Sequence, residues 1–334
     1  MKIITMISLV VPVYNEEDNL RHFYGAVRDV MDKLPYNWEL IFVDDGSSDR
    51  SRAMLAEMEV EDDRVRAVFL ARNYGHQIAL TCGLDYADGD AVISMDGDMQ
   101  HPPELLARLL ELWEQGFDIV QTVRKATEDA GLLKRLTSVG YYRVLNMITS
   151  VPILEGGSDF RLLDREAVLA LRQHREHARF LRGLVSSLGF RQTTIEFTAP
   201  PRFAGHSKYS LRKMLRLAAD GVLTCSNFPP RLGLYAGMLS VLFAVLIILY
   251  EFFVAKNDVS DWSGVVAGFA FFGGFQLMLV GVMGEYVARI YDEAKQRPLY
   301  LVQEYGHLSD RRRSLVLNEE AAETQFCKFG DIKR

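Results

Sequence analysis

Short β-branched runs alternate with helical stretches over roughly the first 120 residues, and this alternation restricts the chain to an α/β fold. Strands are predicted at residues 7–13, 39–43, 65–70, 91–95 and 119–123. Helices are predicted at 17–34, 50–59 and 77–87, and a further helix begins after Pro102 and Pro103. This order predicts a Rossmann-like, mostly parallel sheet with helices on both faces, in which ligands bind beyond the carboxyl ends of the strands.

Polar clusters follow three of these strands, at residues 14–16, 44–49 and 96–100. The third cluster contains Asp96, Gly97, Asp98 and Gln100. Hard divalent cations prefer oxygen ligands and often take only one or two carboxylates, with substrate phosphates completing the shell. A surface loop is the plainer alternative, but the position after a buried strand favours a site for Mg²⁺ or Mn²⁺ that neutralises a departing diphosphate.

A second pair of carboxylates, Asp44 and Asp45, ends the strand at 39–43. These groups could accept hydrogen bonds from a base N–H and a ribose hydroxyl. The alternative is capping of the next helix, for which Ser47 or Asp49 also serves. Both interpretations can hold, because a cap needs only one of these side chains.

The chain from 124 to 230 is less regular. Helices are predicted at 132–151, 164–173 and 180–188, an edge strand at 193–198, and polar loops at 156–161 and 202–210. Residues 211–227 place apolar side chains on one face and Arg212, Lys213 and Arg216 on another. This pattern is typical of a basic helix that lies in a membrane interface.

Two long apolar runs, 232–254 and 265–290, are each long enough to span a hydrocarbon core of about 30 Å. Basic residues flank their outer ends, so the positive-inside rule places both termini in the cytoplasm. A buried core hairpin is the alternative, but the length and the lack of interior charges favour a transmembrane hairpin in the inner membrane. Its glycines allow close approach to a neighbouring copy. No signal-peptide cleavage pattern follows the first apolar strand.

The expected organisation is an α/β domain over 1–210, a juxtamembrane amphipathic helix over 211–230, two transmembrane helices within 231–291 and a cytoplasmic tail over 292–334.

A net charge of −6 argues against a nucleic-acid partner. The three cysteines are widely spaced and form no zinc pattern, as expected for thiols in a reducing compartment. His76, His101 and His206 lack metal-ligand spacing and are interpreted as polar loop residues.

Five motifs occur in order along the chain: VVPVYNEEDNL, FVDDGSSDRS, ARNYGHQIALTCGLDYADGD, SMDGDMQHPPEL and GGSDFRLLDR. Together they resemble glycosyltransferase family 2, and more narrowly the polyisoprenyl-phosphate glycosyltransferases. These include dolichol-phosphate mannose synthases, bactoprenol glucosyltransferases and the aminoarabinose transferase of the lipid-A pathway. The runs DFRLLDREAV and GFRQTTIEF make the bactoprenol enzymes the most similar. The resemblance covers roughly residues 5–305 and implies a GT-A fold, a nucleotide-sugar donor and a polyisoprenyl-phosphate acceptor.

The resemblance also implies roles for individual residues. The donor would be bound by Pro12, Tyr14, Glu16, Asp44, Asp45, Arg72, Asp96, Gly97, Asp98, Gln100 and Arg124. The metal ligands would be Asp96, Asp98 and Gln100, and the acceptor phosphate would meet Arg124, Arg161, Arg202, Ser207 and Lys208. The groups nearest the chemistry would be Asp159, Asp98, Arg202 and Lys208. Gly97 departs from the family, in which alanine is common, but both residues are small.

The chemistry expected from the resemblance is a single displacement with inversion at the anomeric carbon. A phosphate monoester has a second pKa near 6, so this acceptor is largely ionised at neutral pH and needs no strong general base. Its negative charge must be offset, which arginine does bidentately. Asp159 is therefore a candidate either for the base or for an orienting residue.

Several alternatives remain open from the sequence. UDP-glucose is the expected donor, with GDP-mannose, UDP-N-acetylhexosamine and an aminoarabinose donor as alternatives. Diacylglycerol or a growing polysaccharide could replace the lipid phosphate, but the Q-x-x-R-W motif of processive synthases is absent. A non-catalytic nucleotide-sugar-binding scaffold would be favoured by loss of the paired carboxylates, which are intact. The resemblance also implies a homo-oligomer, with a tetramer as the expected form.

Overall fold

The predicted alternation of strands and helices is present in the computed structural model, which describes residues 5–124, 156–177, 179–198 and 262–305, and six residues between 235 and 246. The strands are β1 Met6–Val13, β2 Asn37–Asp44, β3 Val65–Leu70, β4 Ala91–Ser94, β5 Ile119–Arg124, β6 Gly157–Asp164, β7 Gln192–Phe197 and β8 Val302–Tyr305. The helices are α1 Leu20–Met31, α2 Ser51–Glu61, α3 His76–Tyr86, α4 Leu105–Glu114, α5 Arg165–Arg172, α6 Leu181–Ser187 and α7 Trp262–Ala294.

The described strands form one sheet in the order β7-β5-β6-β4-β1-β2-β3-β8. β1 lies at its centre and pairs in parallel with both β2 and β4. β6 runs antiparallel to β4 and β5, and β8 runs antiparallel to β3. The other strands share one direction, so the prediction of a mostly parallel α/β sheet is confirmed.

Two apolar layers cover the faces of the sheet. Along β1, Leu9 and Val11 enter the layer that α1, α2 and α4 complete, whereas Val10 enters the layer of α3, α5 and α6. Side chains of a strand alternate between faces, so a strand covered on both sides must be apolar at nearly every position. This requirement explains the continuous apolar run of β1.

Helix α3 lies unusually close to the central strand. A Cβ atom added at Gly83 would come 2.1 Å from Val10 Cγ1 and 3.1 Å from Val43 Cγ2. Such contacts are far inside van der Waals distance, so only glycine permits this helix–sheet separation.

Two local predictions from the sequence were wrong or incomplete. Residues 156–161 were expected to form a loop, but Gly157–Asp164 is strand β6 and places Asp159 and Arg161 inside the sheet. The segment after residue 292 was expected to be a tail, yet its residues 302–305 form β8 on the edge of β3. β8 has only four residues, and β6 begins with the polar run Gly157–Asp159. Both strands pair with segments distant in sequence, so no local pattern identified them. The edge strand expected at 193–198 is confirmed as β7.

Helix α7 contains the second predicted apolar run. Large apolar side chains are exposed along it, including Phe269, Leu277, Met278, Val280 and Ile290. Among the described residues, no helix combines the length and apolar character needed to cross a membrane. The predictions for 132–151, 202–210, 211–230 and most of 232–254 lie outside the described residues.

The end of α7 is attached to the sheet domain by polar contacts. The His177 backbone N–H and its ring Nδ1 lie 2.7 and 3.0 Å from the two carboxylate oxygens of Glu293. The Tyr300 hydroxyl donates to Asp85 at 2.8 Å. The Ala71 N–H donates to the Leu301 carbonyl at 2.9 Å, just beyond β3. The segment that follows α7 is therefore part of the sheet domain.

Replacing Gly83 by alanine tests the close approach of α3 to β1. Overpacking should lower the free energy of unfolding by about 1–3 kcal/mol, measured by urea denaturation of the full-length protein. Gly25→Ala in α1 is the matched control, because no atom lies within 4 Å of the added methyl group. The control should be neutral or slightly stabilising, since alanine favours helix. Equal destabilisation of both variants would contradict this account.

Candidate active site

The loops that follow β4, β1 and β2 lie side by side, because these three strands are neighbours in the sheet. They carry the polar clusters at 96–100, 14–16 and 44–49. The prediction that these clusters share one edge of the sheet is therefore confirmed.

The loops after β1 and β2 are locked together by hydrogen bonds. The Asn15 N–H donates to Ser47 Oγ at 2.9 Å, and the Ser48 N–H returns a bond to Asn15 Oδ1 at 2.8 Å. The Glu16 N–H donates to Ser51 Oγ at 2.9 Å. Asn15 has a φ of +54°, which places its backbone in the left-handed region. The serines of the second motif thus fix the backbone of the first.

Asp45 uses both carboxylate oxygens to hold a third loop. Its Oδ1 accepts from the Tyr74 N–H at 2.7 Å and its Oδ2 from the Gly75 N–H at 2.9 Å. Asp44 is fully buried, and its Oδ1 accepts from the Ser47 N–H at 3.2 Å. Within the described residues its Oδ2 has no hydrogen-bond partner. Burial raises the pKa of both carboxyl groups.

Gly46 allows the same loop to approach closely. Its φ is +69°, and an added Cβ would lie 2.7 Å from the Arg72 carbonyl carbon and 2.8 Å from the Asn73 nitrogen. These are backbone atoms, so a side chain could be accommodated only by moving the loop. Glycine at position 46 and the carboxylate of Asp45 together fix residues 72–75 against the end of β2.

The Asp96–Gln100 segment forms a tight turn after β4. The Gln100 N–H donates to Asp98 Oδ1 at 3.1 Å, and Met99 has a φ of +62°. The side chain of Asp96 is 36% exposed. An added Cβ at Gly97 would meet only Val11 Cγ1, at 3.4 Å. The turn thus presents carboxylates at the strand end, as predicted, and would tolerate the alanine common in the family.

His101 holds this turn from behind. Its Nδ1 accepts from the Asp96 N–H at 2.8 Å, so the proton of a neutral ring is on Nε2, which lies 2.8 Å from Ser158 Oγ. The ring stacks on Phe160, with centroids 5.0 Å apart. Burial lowers the pKa of His101, which favours the neutral form. His101 lies in the loop between β4 and α4, as interpreted from the sequence, but only 5% of it is exposed.

Asp159 on β6 lies at the centre of a charged cluster. Its Oδ1 is 2.6 Å from Arg161 Nη2 and 3.3 Å from Arg182 Nε, and its Oδ2 is 3.2 Å from Arg182 Nη2. Gln77 Nε2 also donates to Oδ2, at 3.2 Å. Burial opposes ionisation, but Arg182, His76 and Arg161 together hold the pKa of Asp159 well below its usual range.

His76 connects the two acidic positions. Its Nε2 is 3.5 Å from Asp96 Oδ1 and 3.5 Å from Asp159 Oδ2. Burial lowers the pKa of His76, but the two carboxylates outweigh this and raise it to about 9. Without a bound cation the imidazole is therefore positively charged at neutral pH.

The other predicted residues are distributed around this edge. Pro12 belongs to β1, Tyr14 is 39% exposed, and Glu16 Oε2 accepts from Asn19 Nδ2 at 2.6 Å. The Arg72 guanidinium lies 4.2 Å from the centre of the Tyr74 ring, and Arg124 is exposed at the end of β5. Arg202, Ser207 and Lys208 lie outside the described residues.

Four residues of the site were not assigned to it from the sequence: His76, Gln77, His101 and Arg182. Two signals were available. The run GHQ begins α3 directly after the loop that Asp45 holds, and His101 follows the carboxylate turn. No comparable signal marked Arg182, since its relation to Asp159 depends on the packing of α6 against β6.

Comparison with known proteins identifies the family. The model of glycosyl transferase family 2 matches residues 8–171, which span β1 to most of α5. An uncharacterized glycosyltransferase of Bacillus subtilis strain 168, YkcC, is 42% identical over 308 residues, which cover 91% of this chain and 95% of that protein. The chain therefore belongs to glycosyl transferase family 2 and is a glycosyltransferase.

Other relatives have more specific names. The bactoprenol glucosyl transferase of Shigella phage SfV is 38% identical over 300 residues, which cover 89% of this chain and 97% of that protein. Among solved structures, the mannosyl-3-phosphoglycerate synthase of Rubrobacter xylanophilus is 17% identical with a TM-score of 0.45, covering 65% of this chain and 71% of the other.

The Gly46→Ala variant tests how the loop at 72–75 is held. The added methyl group should displace this loop from the Asp45 carboxylate. The amide protons of Tyr74 and Gly75 should then exchange at least about tenfold faster, because a tenfold change corresponds to a loss of about 1.4 kcal/mol of protection. Hydrogen exchange measured by mass spectrometry reports this directly. Gly97→Ala is the control and should leave exchange at 72–75 unchanged, because its methyl group has room. Unchanged exchange in Gly46→Ala would contradict the proposed role.

Proposed function

We propose that this glycosyltransferase moves a sugar from a nucleotide-sugar donor to a polyisoprenyl phosphate at the cytoplasmic face of the inner membrane. The observation that carries the proposal is the pairing of an exposed carboxylate turn, Asp96–Asp98, with a basic cluster around Asp159 on the same sheet edge. Such a site suits a reaction between two phosphate-bearing substrates. The names of the bactoprenol relatives, which match over nearly their whole length, support the same acceptor class.

The proposed donor is UDP-glucose, because the relatives are named glucosyl transferases. The nucleotide would lie between the loops after β1 and β2. Asp44 Oδ2 is buried and unpartnered within the described residues, which favours an N–H donor from the base. Asp45 would act mainly through the loop it holds, since both of its oxygens already accept backbone N–H groups. A donor panel distinguishes glucose from the mannose, N-acetylhexosamine and aminoarabinose alternatives.

A divalent cation, Mg²⁺ or Mn²⁺, is proposed at Asp96, Asp98 and Gln100. No group of three or more His, Cys, Asp or Glu side chains in the described part of the chain could hold a metal ion by itself. Two carboxylates and one amide are instead the incomplete oxygen set that such cations take when substrate phosphates complete the shell. When bound, the cation would offset the negative charge of the departing diphosphate.

The chain's own residues would prepare this displacement in two ways. His101 holds the Asp96 backbone, so the carboxylate turn is fixed before the donor binds. Arginines facing the acceptor would offset its charge, because an ionised phosphate monoester attacks without a strong base. The basic loop with Arg202, Ser207 and Lys208 is proposed to complete this acceptor site, together with Arg124.

Membrane attachment is part of the proposal. The two apolar runs in the sequence and the exposed apolar side chains along α7 support contact with lipid. Both termini would face the cytoplasm, as the flanking basic residues favour. Assembly into a homo-oligomer through the glycine-containing runs is proposed on the same basis.

Sugar transfer by the purified full-length protein tests the function. With undecaprenyl phosphate in detergent and labelled donors, UDP-glucose should give a labelled lipid that thin-layer chromatography resolves. Label transferred only to diacylglycerol or to a polymer would overturn the acceptor. Nucleotide-sugar binding without transfer to any of these acceptors would favour the non-catalytic scaffold.

Asp98→Asn tests the proposed cation site. Loss of a carboxylate ligand should lower kcat by about 100-fold or more, because several kcal/mol of leaving-group stabilisation is removed. EDTA should lower the wild-type rate, and Mn²⁺ or Mg²⁺ should restore it. Asp29→Asn on α1, an exposed acid outside the site, is the control and should keep the wild-type rate. Full activity of Asp98→Asn in EDTA would show that the turn binds no essential cation.

A further inference from the structure

We propose that Arg182 contacts the phosphate of the acceptor lipid, and that Asp159 is a positioning residue that holds Arg182 in place. The inference rests on the proposed function, because it assigns a residue to the acceptor side of that site. The resemblance placed Arg161 against the acceptor and left Asp159 as base or orienter. The charges, geometry and burial of the Asp159 cluster support a different arrangement.

Two guanidinium groups share the single carboxylate of Asp159. One buried carboxylate contacts two guanidinium groups, those of Arg161 and Arg182, and also lies 3.5 Å from His76. Arg161 Nη2 lies 2.6 Å from Asp159 Oδ1, and the Arg161 side chain is only 2% exposed. This arginine already pairs with the carboxylate inside the sheet. Asp96 also lies 3.5 Å from His76, but the cation proposed at Asp96 and Asp98 would offset those carboxylates. The second guanidinium would then leave positive charge at the sheet edge, which favours an anionic ligand there.

Arg182 is oriented by Asp159. Its Nε and Nη2 face the two oxygens of Asp159, at 3.3 and 3.2 Å, and its side chain is 32% exposed. A guanidinium carries five N–H groups in a planar fork, and Nε and Nη2 of Arg182 lie on the edge that faces Asp159. The opposite edge of the fork must point away from Asp159. That edge has the geometry that binds a phosphate bidentately.

Arg182 is held in position before any ligand binds. Gln77 Nε2 donates to Asp159 at 3.2 Å, while its Oε1 accepts from the Leu181 N–H at 3.2 Å. Gln77 thus connects α3, β6 and the start of α6, where Arg182 lies. A side chain anchored in this way loses less entropy when it binds a phosphate.

The Asp159 cluster lies next to the carboxylate turn on the proposed donor side. The His76 ring lies 3.5 Å from both Asp96 and Asp159, so the cation proposed at Asp96 and the guanidinium of Arg182 flank one small region. An acceptor phosphate at Arg182 would then be close to the diphosphate of the donor. A fixed arginine at this position would reduce the repulsion between the acceptor phosphate and the donor diphosphate.

The reaction step balances without Asp159 as a base. An oxygen of the ionised phosphate forms a bond to the anomeric carbon, while the bond from that carbon to the diphosphate oxygen breaks. The electron pair leaves with the nucleoside diphosphate, and no proton is transferred. The carboxylate of Asp159 already accepts from Arg161, Arg182 and Gln77, so its oxygens are occupied by side chains it orients.

The test uses the full-length protein with undecaprenyl phosphate and the active donor. Arg182→Gln should raise the acceptor KM by about 10- to 100-fold, as expected for loss of a charged hydrogen bond, and change the donor KM less than about twofold. Arg182→Lys keeps the charge without the fork and should fall between Arg182→Gln and wild type. Arg175→Gln is the control, since Arg175 forms an ion pair with Asp85 away from the site and should behave as wild type.

Asp159→Asn distinguishes positioning from general-base catalysis. It should reproduce the acceptor KM increase of Arg182→Gln, and the double variant should be little worse than either single variant. The acidic limb of the kcat/KM profile should stay near the second pKa of the phosphate in Asp159→Asn. A fall in kcat by about 100-fold or more in Asp159→Asn, with kcat kept in Arg182→Gln, would instead identify Asp159 as the base and overturn the positioning role.

The outcomes separate the two proposals. If the wild type glycosylates the lipid phosphate but Arg182→Gln and Arg182→Lys keep the wild-type acceptor KM, the inference is wrong and the proposed function stands. If the wild type transfers no sugar to any polyprenyl phosphate, the proposed function fails. Thermal unfolding of each variant identifies misfolding; if Arg182→Gln misfolds, Arg182→Lys must still show the selective increase in acceptor KM.

Discussion

The parallel pairing of β1 with both β2 and β4 is the constraint on which the site depends. Parallel neighbours end at the same edge of the sheet. The strand pairing alone therefore brings the loops at 14–16, 44–49 and 96–100 together. The pairing also buries β1 on both faces, and α3 can lie close to it only because residue 83 is glycine. Stability requires that the central strand be apolar along its length. The site requires that polar residues follow this strand directly, so one short stretch of sequence meets both requirements.

Much of this arrangement could be predicted from the sequence, because it depends on local patterns. The apolar runs gave β1 to β5 within a few residues, and polar clusters at strand ends predicted a shared edge. The carboxylate turn at Asp96–Asp98 could be expected from its position after a buried strand. Even the tolerance of position 97 for a small side chain agrees with the space around it. These features require no knowledge of which distant segments meet.

The contacts around Asp159 could not be predicted in the same way. Arg182 and Gln77 lie 23 and 82 positions from Asp159 along the chain, on α6 and α3. Residues 156–161 contain two glycines and polar side chains, a composition typical of a loop. Residues 157–161 are nevertheless part of β6, which pairs with β5 from Gly157 onward and with β4 from Arg161 onward. The hydrogen bonds of those two neighbours outweigh the low strand propensity of the segment. A buried arginine such as Arg161 is likewise stable only because a carboxylate is fixed beside it.

Strand β8 gives the molecule an unusual connectivity. After helix α7 the chain pairs with β3 as strand β8 and contacts Ala71 just beyond β3. The strand that completes this edge of the sheet therefore comes from beyond α7. A fragment that stops before α7 would lack the strand that covers β3 and would expose unpaired backbone groups there. A displacement of the end of α7 would also act on the backbone directly before Arg72, so movement of the helix would be transmitted to the loop at 72–75 that Asp45 holds.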